Sequence, residues 1–355
     1  MDYSCVPGTE MNARRNKKKA YFAMCGVSVL LCIITLFSYI ASIALGRLFS
    51  EYSTEIQVGF VKVFTGFGMA KQTAVVAARD LMSSSAFDEF LSMLVSFFTT
   101  VIPCMIFAKC SRITSDESFG VSGKTVKGLF PIFFLCQLIT ITVSLFSNSL
   151  YSFILPDGSA HASGHAVVSV SDGFDIYAFI LSLLCVCVFV PIAEEYVFRG
   201  VMFSALRRYG LVFGVVASAT LFGVAHASPT QSVYAFAFGL VASFMVVVTG
   251  NIKTSVLMHS FNNLIIVLEE HLTVLVGDAV FDFIYGVYIL ISSAFAFYGL
   301  YIVIMREKYV DVFMQKAEEN DGGLAVKPGI FELMAFPFVL YVVCYALNVA
   351  SGVLL

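Results

Sequence analysis

Long apolar runs separated by short polar segments recur along the whole length of the sequence. About 20 apolar residues are needed to cross the hydrocarbon core of a bilayer as a helix, whereas the strands of a barrel show only short alternating segments. The pattern therefore predicts an all-α protein, a polytopic bundle of about eight or nine transmembrane helices. The clearest apolar runs cover residues 21–45, 90–108, 129–155, 176–193, 231–249, 280–305 and 331–355.

The composition agrees with a membrane protein. Of the 355 residues, 59% are hydrophobic and 13% are charged, whereas soluble globular chains carry about 25% charged residues. The formal net charge of -3 gives no overall basic character, so we expect the lipid bilayer as a partner and no nucleic acid. The nine cysteines form no Cys-x-x-Cys pair, and neither a disulfide framework nor a cysteine metal site is expected.

The distribution of basic residues predicts the orientation and the divisions of the chain. Residues 1–20 form a polar tail that ends in a basic cluster directly before the first apolar run, which places the N-terminus in the cytoplasm by the positive-inside rule. This short tail, with no organelle-retention signal, favours a bacterial plasma membrane. After the tail we predict N-terminal transmembrane helices over residues 21–172, a central core over 173–270 and C-terminal transmembrane helices over 271–355.

A polar loop at residues 156–173 contains no Lys or Arg, as expected on the outer face of the membrane. His161 and His165 lie four residues apart in this loop, and on a helix this spacing could chelate a metal. The surrounding glycine and serine residues favour a flexible, solvated loop instead.

Three ionisable residues, Glu194, Glu195 and Arg199, follow the apolar run of residues 176–193. Each costs about 2.5 to 3.5 kcal/mol near the centre of a spanning helix, so such residues usually serve chemistry, transport or an internal ion pair. Glu195 and Arg199 have the i, i+4 spacing that favours a helical ion pair, and we assign them a structural role. Glu194 is rotated by about 100° from Glu195 and is left free to act as a general base.

Three more polar residues are predicted to lie at the depth of Glu194. Glu194 and His226 each lie 16 residues from Gly210, so a helical hairpin that turns there places both at about 24 Å from the turn. On a later helix, His259 and Asn263 are one turn apart on the same face. Together they predict a polar pocket in which Glu194 and His226 align a water while His259 and Asn263 donate to a developing oxyanion.

Two other functions account for the same side chains. Buried carboxylates serve as proton relays in transporters, so Glu194 and Glu195 could titrate during proton-coupled transport, although the sequence shows no inverted repeat. Buried His and Asn side chains also form ordinary interhelical hydrogen bonds, which fits a non-catalytic membrane scaffold. The grouping of two histidines with a double carboxylate favours catalysis over both alternatives.

Three short motifs in this region resemble those of the CPBP intramembrane proteases, also called the Abi or type II CAAX prenyl protease family. The resemblance covers residues 175–268, and Gly200 and Gly239 also match the pattern of the family. The motifs are Glu194-Glu195-Tyr196-Val197-Phe198-Arg199, Phe222-Gly223-Val224-Ala225-His226 and His259-Ser260-Phe261-Asn262-Asn263.

The resemblance implies a membrane-embedded endopeptidase whose catalytic core is residues 173–270. In the pattern of this family, Glu194 and His226 activate water, and His259 and Asn263 hold the oxyanion. The partner is then a peptide or membrane-protein substrate, which is a prenylated CAAX peptide for eukaryotic members and a bacteriocin-like or signalling peptide for bacterial ones. Because the nearest loops are basic, we expect the site to open to the cytoplasmic half of the bilayer.

The resemblance also implies support for these four residues from Glu195, Arg199 and Phe222. Whether a metal is needed stays open at this point, because family members have been interpreted both ways. By ligand chemistry Glu194, His226 and His259 could form a three-ligand zinc site with an open position. The sequence contains no His-Glu-x-x-His helix, and we favour a glutamate mechanism that requires no cofactor.

Overall fold

The computed structural model describes residues 7–120, 128–154, 176–226 and 229–321. Within these ranges the regular structure is entirely helical, and the predicted all-α class is confirmed. The helices are α1 (Pro7–Glu51), α2 (Ser53–Gly66), α3 (Lys71–Met82), α4 (Ser85–Cys110), α5 (Ser115–Phe119), α6 (Leu129–Ile154), α7 (Ile176–Leu184), α8 (Val190–Glu195), α9 (Phe203–Leu206), α10 (Leu211–Ala225), α11 (Pro229–Thr249), α12 (Lys253–Val276), α13 (Asp278–Tyr301) and α14 (Tyr309–Asp321).

Several of these helices are long and apolar enough to cross a membrane, which confirms the multi-pass bundle. Helix α10 has 15 residues and is shorter than a usual span, while α12 has 24 residues but carries Lys253, His259 and two asparagines. The predicted last span, 331–355, and the loop with His161 and His165 lie outside the described residues. Within the described residues the six candidate spans are Lys18–Glu51, Met93–Cys110, Leu129–Phe153, Ala178–Tyr209, Gln231–Thr249 and Asp278–Arg306.

One continuous helix over residues 176–209, here called the motif helix, carries the double carboxylate. It joins α7, α8 and α9 through two π-helical turns, Cys185–Phe189 and Tyr196–Met202. Pro191 explains the first π turn, because proline has no N–H and its ring clashes with the preceding turn, so that the helix widens there. The sequence predicts a kink or a new segment at Pro191, and the structure shows a widened turn followed by α8.

Small residues bring the helices around the motif helix into close contact. Gly239 of α11 packs so tightly on α10 that a Cβ there would lie 3.0 Å from Ala219 and 3.4 Å from Nη2 of Arg199. Gly223 of α10 is equally close to α11, since a Cβ would lie 2.7 Å from the carbonyl oxygen of Ser232. These glycines let α10 and α11 enclose the charged part of the motif helix, as small residues do in membrane bundles.

The turn before α12 is held against the segment that follows α5. Gly120 and Gly250 both have positive φ angles, 76° and 67°, and a Cβ on Gly120 would overlap the carbonyl oxygen of Gly250. The backbone N–H of Ile252 donates to the carbonyl of Phe119 at 3.3 Å. This contact sets where α12 begins and therefore where its polar side chains lie.

Replacing Gly120 by Ala should therefore destabilise the protein, because the new methyl group meets backbone and the φ angle disfavours any side chain. We expect a loss of roughly 1 to 3 kcal/mol, seen as a drop of several degrees in the unfolding temperature of the detergent-solubilised protein. Gly68→Ala is the matched control, since Gly68 has a φ of 91° but open space around its Cβ position. Equal shifts for both variants would show that the contact with Gly250 contributes nothing.

Candidate active site

The ion pair predicted within the first motif is present. Nη1 of Arg199 lies 2.8 Å from Oε1 of Glu195, and both side chains are completely buried. The guanidinium carbon of Arg199 lies 4.3 Å from the ring centre of Phe222 and 5.7 Å from that of Phe238. A cation over an aromatic face is stabilised by the ring quadrupole, so these two rings complete the surroundings of the guanidinium.

His259 of α12 connects both carboxylates of the motif helix. Its Nδ1 lies 3.0 Å from Oε1 of Glu195, and its Nε2 lies 3.8 Å from Oε2 of Glu194. A carboxylate can only accept, so Nδ1 carries a proton and donates it to Glu195. The expected pairing of Glu195 with Arg199 alone is thus incomplete, because Glu195 holds His259 as well.

Glu194 is the more accessible of the two carboxylates. Its side chain is 31% exposed, whereas that of Glu195 is fully buried. Oε2 of Glu194 accepts no hydrogen bond from the described part of the chain, and Nε2 of His259 lies 3.8 Å from it. The roles expected from the sequence, in which Glu195 holds the structure and Glu194 is available to a water, stay predictions, and the two side chains differ in burial in the sense that these roles require.

His226 lies at the end of α10, with its ring turned back on its own helix. Its Nδ1 lies 2.8 Å from the carbonyl oxygen of Phe222. Because a carbonyl only accepts, Nδ1 is the donor, and in the neutral ring Nε2 presents its lone pair. Among the described contacts His226 makes no hydrogen bond with Glu194, so a water is needed to join the two.

Phe222 is the packing centre of the candidate site. Its ring meets those of His226 and His259 edge to face, with centroids 4.8 and 5.8 Å away, and that of Phe198 at 5.0 Å. Its own exposure is 2%. The side chain thereby fixes the orientation of two histidines from different helices, which accounts for its place four residues before His226 in the second motif.

Asn263 is bound to the motif helix at its first π turn. Its Nδ2 donates to the carbonyl oxygen of Val186 at 2.8 Å. The N–H of Val190 bonds to Cys185 in the π register, and the next donor in that register would be Pro191, which has no N–H. Asn263 therefore satisfies a carbonyl that Pro191 leaves without a helical partner, and one N–H of its amide remains for another acceptor.

Two polar residues that the sequence analysis did not single out lie next to Asn263. Nδ2 of Asn262 lies 3.4 Å from Oδ1 of Asn263, and Asn262 also hydrogen-bonds to Tyr234 of α11. The two consecutive asparagines in an apolar helix were a signal for this extension of the site, since buried amides need several partners.

A cavity of about 230 Å³ begins at Asn262 and Tyr234 and lies between α6, α11, α12 and α13. It follows α12 from Asn262 to Glu269 and therefore leads away from Lys253 and the other basic turns. Among the described residues the cavity lining includes neither Glu194 nor His226, and the expected opening of the site towards the basic loops stays a prediction. Basic loops report the orientation of helices in the membrane, whereas the polar faces of the helices decide where a cavity can form.

The structure does not group the three potential zinc ligands as one metal site within the described residues, and independence from a metal stays a prediction. Within the described residues no group of three His, Cys, Asp or Glu side chains is arranged to hold a metal ion. Glu194 and His259 are close to each other, and Nδ1 of His226 donates to the carbonyl of Phe222, which leaves Nε2 of that ring as its possible ligand atom. No step of the mechanism below is therefore assigned to a metal.

Replacing Arg199 by Met should destabilise the protein by about 3 to 5 kcal/mol, because a buried carboxylate loses its cation. The double variant Glu195→Gln, Arg199→Met removes both charges and should recover most of this loss. Unfolding of each purified variant in detergent measures the difference. Arg208→Met is the control, since Arg208 and Glu117 form a partly exposed pair at 3.1 Å that should contribute at most about 1 kcal/mol. A double variant no more stable than Arg199→Met would contradict this account.

The comparison with known proteins agrees with the motifs. The family model described as type II CAAX prenyl endopeptidase Rce1-like matches residues 176–265, a segment that contains all three motifs and confirms the resemblance. Neither a curated protein nor a solved structure matches the chain. The chain is therefore an integral, multi-pass membrane protein whose central segment, residues 176–265, is similar to the Rce1-like type II CAAX prenyl endopeptidases.

Proposed function

We propose that this protein is an intramembrane endopeptidase that hydrolyses peptide bonds with a water activated by Glu194 and His226. The observation that carries the proposal is the contrast between the two carboxylates. Glu195 is fully buried and bound to Arg199 and His259, while Glu194 is partly exposed and its Oε2 accepts no hydrogen bond within the described residues. A general base needs this combination of a fixed position and a free lone pair.

In the proposed reaction Glu194 accepts a proton from the water while Nε2 of His226 accepts a hydrogen bond from the other O–H. The water oxygen then forms a bond to the carbonyl carbon of the substrate, and the carbonyl oxygen becomes an oxyanion. When the C–N bond breaks, Glu194 returns its proton to the leaving amine. Each proton is thereby accounted for without a further acid.

The oxyanion would be held by His259 and Asn263. The Asn263 amide has one N–H that is not used by Val186. The ring of His259 places Nε2 3.8 Å from Oε2 of Glu194, and Nε2 is a donor when the ring carries both protons. Removal of one oxyanion donor in an enzyme typically costs about 3 to 4 kcal/mol of transition-state stabilisation.

A proton-coupled transporter and a non-catalytic scaffold are the alternatives. The transporter requires Glu194 and Glu195 to exchange protons during transport. Glu195 is completely enclosed and held by a cation at 2.8 Å, which makes it a poor site for repeated proton exchange. A scaffold would not need a carboxylate that is kept free of partners beside two histidines.

Replacing Glu194 by Gln should lower peptide cleavage by at least about 10² to 10⁴-fold, because the amide cannot accept a proton. Cleavage of quenched fluorescent peptides by protein reconstituted in liposomes measures this effect. Glu318→Gln is the matched control, because Glu318 is exposed on α14 and lies outside the candidate site. Retained turnover in the Glu194 variant would refute the assignment, and substrate flux without cleavage would favour the transporter.

Chelation should leave the activity unchanged, because the mechanism uses only protein side chains and water. The test is cleavage by the purified protein after dialysis against a strong chelator, followed by addition of zinc. A lasting loss of cleavage that zinc restores would contradict the metal-free mechanism and would assign Glu194, His226 and His259 as ligands.

A further inference from the structure

A polar stripe follows one face of the spanning helix α6. Gln137, Thr140, Ser144 and Asn148 are spaced three and four residues apart, which places them on one side of the helix. Their helix is otherwise strongly apolar, with a mean hydropathy of 2.2 over Leu129–Phe153. Polar side chains inside a membrane are usually functional and face the interior of the bundle.

The stripe faces the cavity of about 230 Å³ that adjoins the candidate site. Helix α12 forms the opposite wall with Asn262, Ile265, Ile266 and Glu269, again on one helical face at i, i+3, i+4 and i+7. Helices α6 and α12 therefore both line the cavity, and each does so with polar and aliphatic side chains on one helical face.

Side-chain contacts link this cavity directly to the candidate site. Asn262 hydrogen-bonds to Asn263 and to Tyr234, and Tyr234 interacts electrostatically with Glu194. From Asn262 the cavity runs to Glu269, seven residues or about 10 Å further along α12. Asn262 and Tyr234 are therefore the cavity residues through which we connect this space to Glu194.

The dimensions of the cavity suit an extended peptide. From Gln137 to Asn148 the wall of α6 is eleven residues long, or about 16 Å. An extended chain rises about 3.3 Å per residue, so this length holds about five residues. The distance from Asn262 to Glu269 corresponds to about three residues of such a chain.

The charge of the cavity lining predicts which kind of peptide residue binds there. Glu269 is the one charged residue among the described lining residues, which include no Lys or Arg. No ion pair of Glu269 is found within the described residues. A carboxylate in such a site favours a cationic partner, and Ile265 and Ile266 beside it suit the methylene stem of a lysine or arginine.

An isoprenoid chain fits this lining poorly. A purely apolar group would lie against Ser144, Asn148 and Glu269 without offering them a hydrogen bond, and polar groups buried in this way carry a large free-energy cost. A peptide backbone, in contrast, offers both donors and acceptors to these side chains.

We propose that the cavity binds an unprenylated peptide in extended conformation and that Glu269 binds a cationic group of that peptide, about three residues from the scissile bond. The inference rests on the proposed protease function and specifies its substrate class. The recognised chemistry is an ammonium or guanidinium group, supplied either by a Lys or Arg side chain or by the N-terminus of the peptide.

The test measures peptide binding without turnover, in protein that carries Glu194→Gln and is reconstituted in nanodiscs. The probes are acetylated, fluorescein-labelled decapeptides of Ala, Leu and Ser with one Lys moved through every position, and matched peptides with norleucine instead. At one position we expect Lys to improve the affinity at least tenfold over norleucine. A norleucine peptide with a free N-terminus at that position shows whether the terminal ammonium substitutes for the side chain.

Adding Glu269→Gln to this protein should reduce the preference for Lys to less than threefold, and Glu269→Lys should transfer it to a peptide with Glu at the same position. Asp282→Asn is the matched control, because Asp282 is exposed on α13 and outside the cavity lining. It should keep the tenfold preference. Equal binding of Lys and norleucine peptides, an unchanged preference in Glu269→Gln, or binding of a farnesylated CAAX peptide alone would overturn the proposal.

Cleavage of the best Lys peptide by the wild-type protein is measured separately. A Lys preference that depends on Glu269, together with no cleavage by the wild type, would overturn the proposed protease function and leave the cationic site standing. Cleavage that depends on Glu194 but not on the charge of the peptide would overturn the cationic site and leave the protease function standing.

Discussion

The buried interaction of Glu195 with Arg199 and His259 is the constraint on which the rest of the site depends. One carboxylate oxygen receives the guanidinium at 2.8 Å and the imidazole at 3.0 Å. Charges in a low-dielectric interior are tolerated only with close partners, and separation of α12 from the motif helix would remove the hydrogen bond that His259 donates to the buried carboxylate of Glu195. Arg199 in turn lies on the ring of Phe222, which orients His226, and the three motifs therefore form one connected unit.

A second coupling works through the backbone of the motif helix. Pro191 widens the helix and leaves the carbonyl of Val186 without a helical donor, and Asn263 from α12 supplies the missing hydrogen bond. The same amide is the proposed oxyanion donor, so its position is fixed by the helix that carries Glu194. Preorganisation of this kind is what allows a donor to stabilise a developing charge without a reorganisation cost.

The three motifs are surrounded by buried aromatic side chains on one side and by polar side chains on another. Phe198, Phe222 and Phe238 close the site against the bundle core, while Asn262 and Tyr234 lead to the cavity between α6 and α12. Peptide hydrolysis in a membrane needs both conditions, because water must reach Glu194 while the ion pair of Glu195 must stay dry. The two neighbouring glutamates meet these opposite needs because they point to different sides of one helix.

The sequence by itself determined the helical membrane class and the residues that gather at the site. Apolar runs of membrane-spanning length leave few alternatives to a helical bundle, and the i, i+4 spacing of Glu195 and Arg199 led directly to their ion pair. The equal numbers of residues from Gly210 to Glu194 and to His226 led to the prediction that both lie at one depth.

Only the tertiary structure decided which atoms meet. The contact of His259 with Glu195, the hydrogen bond of Asn263 to Val186 and the ring of Phe222 between two histidines all join residues from different helices. Helical periodicity gives the depth and face of a side chain but not the rotation and tilt of one helix against another, which depend on close contacts such as that of Gly239 with Ala219. The cavity beside Asn262 also depends on the packing of helices, because its lining combines the polar face of α6 with residues of α12.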